Sequence, residues 1–186
     1  MATPLPRKMF TVGEYNTMIE AGVFKEDDRM ELITGDIVQM SPIGNKHVAC
    51  VNRLSNKLMA QLGESVIVST QNPICADEYS EPQPDVVLLK PRDDFYEDEL
   101  PSARDVLLII EVADTTVLYD RNVKLPLYAR AEIPVALLVN LPRASIEVHT
   151  GPKNGKYRKV RYLKRGEVLR VKGLPKLSLK VEDIIG

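Results

Sequence analysis

The chain reads as an α/β protein built on a mixed α+β sheet. Two apolar runs of strand length, residues 84–90 and 105–113, are hydrophobic on both faces, as strands inside a sheet are. Ahead of them Val48, Val51, Leu54, Leu58 and Leu62 fall at helical spacing. After them a helix-length stretch leads to another apolar run at 134–140. The predicted core therefore runs helix, strand, strand, strand, helix, strand, over about residues 45–141. An N-terminal extension (1–44) and a C-terminal β extension (142–186) flank it, and 186 residues suit a single domain.

Each element has a local reason. Thr11 followed by Glu14 is a capping box, so a short helix is expected over 12–21, stopped by Gly22. Apolar runs within 29–40 flank Thr34-Gly35-Asp36 and predict a β-hairpin, closed by Ser41-Pro42. The amphipathic helix spans 45–62 and ends at Gly63, and a strand follows at 65–71. A loop rich in proline and acids precedes the interior strand 84–90, which Pro91 ends, and an acidic loop precedes the second, 105–113. The next helix is expected over 117–131, with Pro126 kinking or splitting it. Runs at 145–149, 156–162 and 168–171 predict an antiparallel meander.

Composition narrows the function classes. Hydrophobic residues make up 44% and charged residues 27% of the chain, and no apolar run is long enough to span a bilayer. Arg7 and Lys8 are not followed by an apolar segment, so no signal peptide is expected. Cys50 and Cys75 lack CxxC spacing and predict free thiols and a cytoplasmic protein. The net charge of -1 lacks the basic excess of a dedicated nucleic-acid binder. It is unevenly spread: residues 93–99 (DDFYEDE) are acidic, whereas 153–172 hold nine lysines and arginines. Alternating charge on an exposed hairpin reads as a solvated face, with phosphate contact as the alternative.

Strand direction supplies the candidate site. If 84–90 and 105–113 pair antiparallel, the start of the first lies beside the end of the second, and Asp85 meets Glu111. An antiparallel preceding strand brings Gln71 to the same end, where the helix after Thr116 also begins. Two carboxylates there are costly unless paired, and magnesium, which prefers oxygen ligands, resolves that cost. Asp120, Lys124 and Tyr128 share a helix face at i, i+4, i+8. Lys124 lies roughly 10 Å along that helix and must reach back to the carboxylates. Alternative readings exist: Asp85 as a turn cap, Lys124 and Asp120 as an intrahelical ion pair, and Asp85 with Glu111 as acids satisfied internally in a structural dimer.

Pro84-Asp85 and Glu111-Val112-Ala113 resemble the PD-(D/E)XK pattern of restriction-endonuclease-like nucleases. More closely, the chain is similar over residues 10–185 to the restriction-endonuclease-like proteins of the Uma-two family. The matching stretches are 30–38 (MELITGDIV), 81–87 (EPQPDVV), 110–116 (IEVADTT), Asp120-Arg121, 124–129 (KLPLYA) and Ile133-Pro134. The resemblance implies a restriction-endonuclease-like αβββαβ core. It implies that Asp85, Glu111 and the main-chain carbonyl of Val112 bind magnesium, or manganese, and that Glu31 and His47 lie near the same site. Residue 113, where the pattern expects lysine, is alanine, and Lys124 is the expected replacement. The implied activity is magnesium-dependent endonucleolytic cleavage of DNA. The alternative is a weak or inactive nuclease-fold protein acting as a DNA-binding or regulatory homodimer. A homodimer is expected of the nuclease as well, since cutting both strands needs two sites.

Overall fold

A computed structural model of the chain describes residues 7–25 and 27–186. Residues 1–6, the start of the stretch read for a leader, lie outside the described residues. A six-stranded sheet in the order β3-β4-β5-β6-β7-β8 organises the molecule. Its strands are β3 (Ile67–Thr70), β4 (Val86–Leu89), β5 (Val106–Ala113), β6 (Val135–Asn140), β7 (Ser145–Lys153) and β8 (Lys156–Lys164). The pair β5–β6 is parallel and every other pair is antiparallel, so the sheet is mixed, as the element order predicts. All residues of β4 and β6 are buried, which explains their continuous apolar sequences.

Alternate residues of these strands feed two cores. On one face Val86, Leu88, Leu108, Ile110, Leu137 and Ile146 pack with Leu54, Leu58 and Leu62 of α2 (Asn45–Leu62). Leu54 and Leu58 are fully buried, so truncating either to alanine costs roughly 2–5 kcal/mol. On the other face Val87, Ile109, Ala113, Ala136 and Leu138 pack with Leu125, Leu127 and Tyr128 of α4 (Leu125–Arg130). A register shift, with Leu88 opposite Leu108 and Leu89 opposite Val106, leaves Leu107 as an extra residue of β5 and lets Val106 join this second core although the even-numbered Leu108 faces the first.

The N-terminal part follows its local signals. Helix α1 (Val12–Glu20) carries the Thr11–Glu14 capping box, and Gly22 takes the left-handed conformation beyond its end. The hairpin β1 (Met30–Ile33) and β2 (Asp36–Gln39) turns on Thr34 and Gly35, both at positive φ. At Gly35 a side chain would meet Cβ of Met9 at 2.7 Å, so glycine is required twice over. Leu32 exchanges backbone hydrogen bonds with Glu81, which fastens β1 to the segment leading into β4.

The expected helix over 117–131 forms without a break over 117–130 but changes its winding. An α-helical turn, α3 (Val117–Tyr119), passes into a π turn at Asp120–Lys124 and then into α4. Pro126 lacks the N–H that an α-helix would use at that point, and the widened turn precedes it. The C-terminal region also departs from expectation. Strands β7 and β8 extend the main sheet, while β9 (Val168–Val171) pairs with an unexpected β10 (Leu174–Lys180) in a separate hairpin against α2. Pro175 argues against a strand there, and a register irregularity between Leu174 and Leu179 accommodates it. A last helical turn, α5 (Val181–Ile185), buries Val181 and Ile184 and is too short to announce itself by periodicity.

Candidate functional site

Sheet register alone brings the two acids together. Val86 of β4 is opposite Ile110 of β5, so Asp85, one residue before β4, lies beside Glu111. Asp85 is heavily held: Oδ2 accepts the Val112 N–H at 2.8 Å and lies 3.0 Å from His47 Nε2. Gln71, at positive φ directly after β3, donates its side-chain amide to Oδ1 at 3.4 Å and its backbone N–H to the Asp85 carbonyl. Paired residues of a strand direct N–H and C=O to the same neighbour, so the Val112 carbonyl faces the Asp85 side as its N–H does.

Glu111 is 3% exposed and sits on the face of β5 that α4 covers. Tyr128 donates its hydroxyl to Glu111 Oε1, and Lys124 Nζ lies 3.4 Å from the same oxygen. Lys124, 4% exposed, is also 3.0 Å from Glu31 Oε2, which in turn accepts the Gln83 backbone N–H. Asp120, one turn earlier, is buried and takes the Thr116 hydroxyl at 2.7 Å. The widened turn keeps Asp120 and Lys124 both buried on the site side of the helix.

The electrostatics follow from crowding acids around one ammonium. Burial, together with the neighbouring charges of Asp85 and Asp120, pushes Glu111 up to about 8, although Lys124 and the Tyr128 hydroxyl pull it down. Burial likewise raises Asp120. Burial on its own favours neutral Lys124, but Glu111, Glu31 and Asp120 outweigh it and hold the amine above its ordinary value, so it is charged.

These groups floor a cavity of about 480 Å³ whose rim is formed by Arg29 and Gln39 of the hairpin region, Ile43 and Gly44 before α2, and Thr115 and Tyr119. His47 Nδ1 and the Tyr119 hydroxyl are buried there without hydrogen-bond partners. Four buried carboxyl groups (Glu31, Asp85, Glu111, Asp120) face one buried ammonium. An oxygen-rich donor set with excess negative charge fits a hard divalent cation. Among the described residues no three or more His, Cys, Asp or Glu side chains are spaced to hold a metal ion by themselves.

Of the sequence-predicted residues, Asp85, Glu111, Lys124, Glu31, His47 and Val112 line the cavity, while Gln71 buttresses Asp85 from outside it. Ala113 points into the second core and is fully buried. Three contributors went unassigned by sequence reasoning: Asp120 as a buried acid, Tyr128 as the partner of Glu111, and Gln83 as the backbone support of Glu31. The i, i+4, i+8 spacing of Asp120, Lys124 and Tyr128 was the available signal for two of them. A second polar group was also missed. Glu147 and His149 alternate with apolar residues on β7, and Arg121 pairs with Glu147.

A family model described as "Putative restriction endonuclease" (Uma2) matches residues 12–182. The chain belongs to this family. No curated protein matches the chain. Among solved structures it is similar to one titled a "putative nuclease belonging to DUF820" from Anabaena variabilis. The TM-score is 0.71 at 13% identity, with 95% of this chain and 97% of that one covered, so that protein and this chain share a mixed α/β fold.

Proposed function

We propose that the chain is a magnesium-dependent endonuclease that hydrolyses DNA phosphodiester bonds, with manganese as an alternative ion. The observation that carries this reading is the single buried ammonium of Lys124 set among four buried carboxyl groups at the floor of an open cavity. Membership of a restriction endonuclease family supports it. Asp85, Glu111 and the Val112 carbonyl would hold the metal, which when bound lowers the pKa of a water ligand and offsets phosphate charge. Asp85 is kept in place by His47, Gln71 and the Val112 N–H. Lys124 stays protonated and offers its ammonium to the oxygen on which negative charge develops. Glu31 positions that ammonium. The lysine comes from the helix because the side chain at 113 faces a packed apolar core. Two-strand cleavage calls for two such sites, hence a homodimer. The free thiols of Cys50 and Cys75 suit a reducing, cytoplasmic setting.

The competing reading is a nuclease fold without turnover, which the pairing of Lys124 with both Glu31 and Glu111 favours. Supercoiled plasmid separates them. Wild-type protein with magnesium should produce nicked circles, and Asp85→Ala should abolish nicking. Equal nicking by both proteins refutes the site, and no nicking by wild type favours the competing reading.

A further inference from the structure

Resting on the reading of DNA as substrate, we infer that the exposed face of β8, centred on Tyr162 with Arg158 and Lys164, is the surface that seats the DNA backbone beside the carboxylates. Residues 153–172 carry nine cations against one acid, Glu167, a net +8, so the remainder of this chain of net charge -1 carries -9. Among the described residues none of these nine cations lies within 4.0 Å of an Asp or Glu carboxylate, and Arg165 alone donates to the terminal Gly186; elsewhere five cations, Lys8, Lys57, Arg92, Arg121 and Lys124, are ion-paired. Five of the nine, Lys156, Arg158, Lys159, Arg161 and Lys164, lie on β8, where like charges repel one another and a polyanion relieves that repulsion.

Register ties this strand to the site. Glu111 pairs with Leu138, Leu138 with Glu147, and Glu147 with Tyr162, so the four stand in one row across the sheet. Directly opposed residues share a face, which puts Tyr162 on the face that carries Glu111. Three strand spacings separate them, roughly 14 Å. Lys164 stands in the next row, with Ser145, Asn140 and Ala113. Arg158 is an exposed cation of the same strand, two residues before Val160. Between site and strand stands Arg121, paired with Glu147 and part of the turn that carries Lys124.

Sheet order explains why the surface is free. β8 is the edge strand, with β7 as its single neighbour, and α4 covers Glu111 but leaves Tyr162 61% exposed and Val160 43% exposed. An exposed tyrosine among arginines and lysines can offer its hydroxyl to a backbone phosphate, with cationic phosphate contacts on each side. A distance of roughly 14 Å corresponds to about four nucleotides along one strand. The contacts thus fall a few nucleotides from the phosphate at Glu111 and set where on the duplex the site comes to rest.

The test is fluorescence anisotropy of a labelled 30-base-pair duplex with the full chain in EDTA, across a salt series. The variant Arg158→Gln/Tyr162→Ala/Lys164→Gln is compared with Lys176→Gln/Lys180→Gln, which removes two charges from β10. The first should weaken binding on the order of tenfold and flatten the log–log salt slope by about 1.8, since each lost phosphate contact removes about 0.9. The second should leave affinity within about twofold of wild type, because non-contacting charges act only through the screened general field. If the triple variant melts early by circular dichroism, Arg158→Gln/Lys164→Gln carries the same slope prediction. Unchanged affinity and slope overturn the proposal, and persistent plasmid nicking by that variant would leave the nuclease reading standing without it. Loss of binding in the variant, in a protein that nicks nothing, would support this face and refute turnover instead.

Discussion

Magnesium should displace a proton from the carboxylate cluster, and the number displaced should depend on pH in a defined way. Glu111 is lifted to about 8 by burial and by Asp85 and Asp120. A carboxylate must be ionised to bind a metal. At pH 7 a group with that pKa is roughly 90% protonated, so each ion bound releases roughly 0.9 proton. At pH 9 the protonated share falls to roughly 10%, and release should fall with it. Apparent affinity should rise about tenfold per pH unit below 8 and flatten above it. Isothermal titration calorimetry in buffers of different ionisation enthalpy reads the proton count directly. Magnesium binding at pH 7 with a count near zero would refute the raised pKa and the role of Glu111 as a ligand.

Three further outcomes follow from the same cluster. Without metal, the folded state holds the Glu111 proton that an unfolded chain releases near its ordinary pKa of 4.5. That contribution to stability is therefore complete below 4.5 and lost as pH rises towards 8. Thermal melts should fall by roughly 3–6 °C per pH unit inside that window, and Glu111→Gln should flatten the trend; a flat wild-type profile would contradict it. Lys124→Met leaves Glu31, Glu111 and Asp120 without their buried cation and should cost roughly 3–5 kcal/mol in urea unfolding, so a loss under about 1 kcal/mol would show that the acids are not held by the amine. Tyr128→Phe removes the hydroxyl from Glu111 and should cost roughly 1–3 kcal/mol; in the metal-linked calorimetry it should also move proton release to higher pH.

Much of the site was legible because it depends on short-range rules. Two apolar strands joined by a loop pair antiparallel, and that alone sets Asp85 beside Glu111. Gln71 followed from the same reasoning one strand further. The helix face of Asp120, Lys124 and Tyr128 followed from spacing, although a π turn in place of regular helix shapes it. Glu31 and His47 were a different matter. Their places depend on how the hairpin and α2 dock on the sheet, which no local pattern encodes, and only the family resemblance pointed to them. The Glu147–His149–Arg121 group was obscured because polar residues alternating with Ile146 and Val148 look like the solvent face of a strand. Burial of those residues comes from packing against distant chain. β10 was hidden by Pro175, whose usual meaning is overridden by an irregular pairing. The basic run at 153–172 read as a solvated face until register placed Tyr162 in the row of Glu111.

On the proposed reading Asp85 and Glu111 share one divalent cation. Crystals grown with manganese test it most directly, since anomalous scattering locates the ion without reference to activity. One strong peak is expected at the cavity floor, about 2.0–2.3 Å from an oxygen of each carboxylate, as hard-cation coordination requires. Ordered density for both side chains with no peak between them, at millimolar manganese, would contradict it.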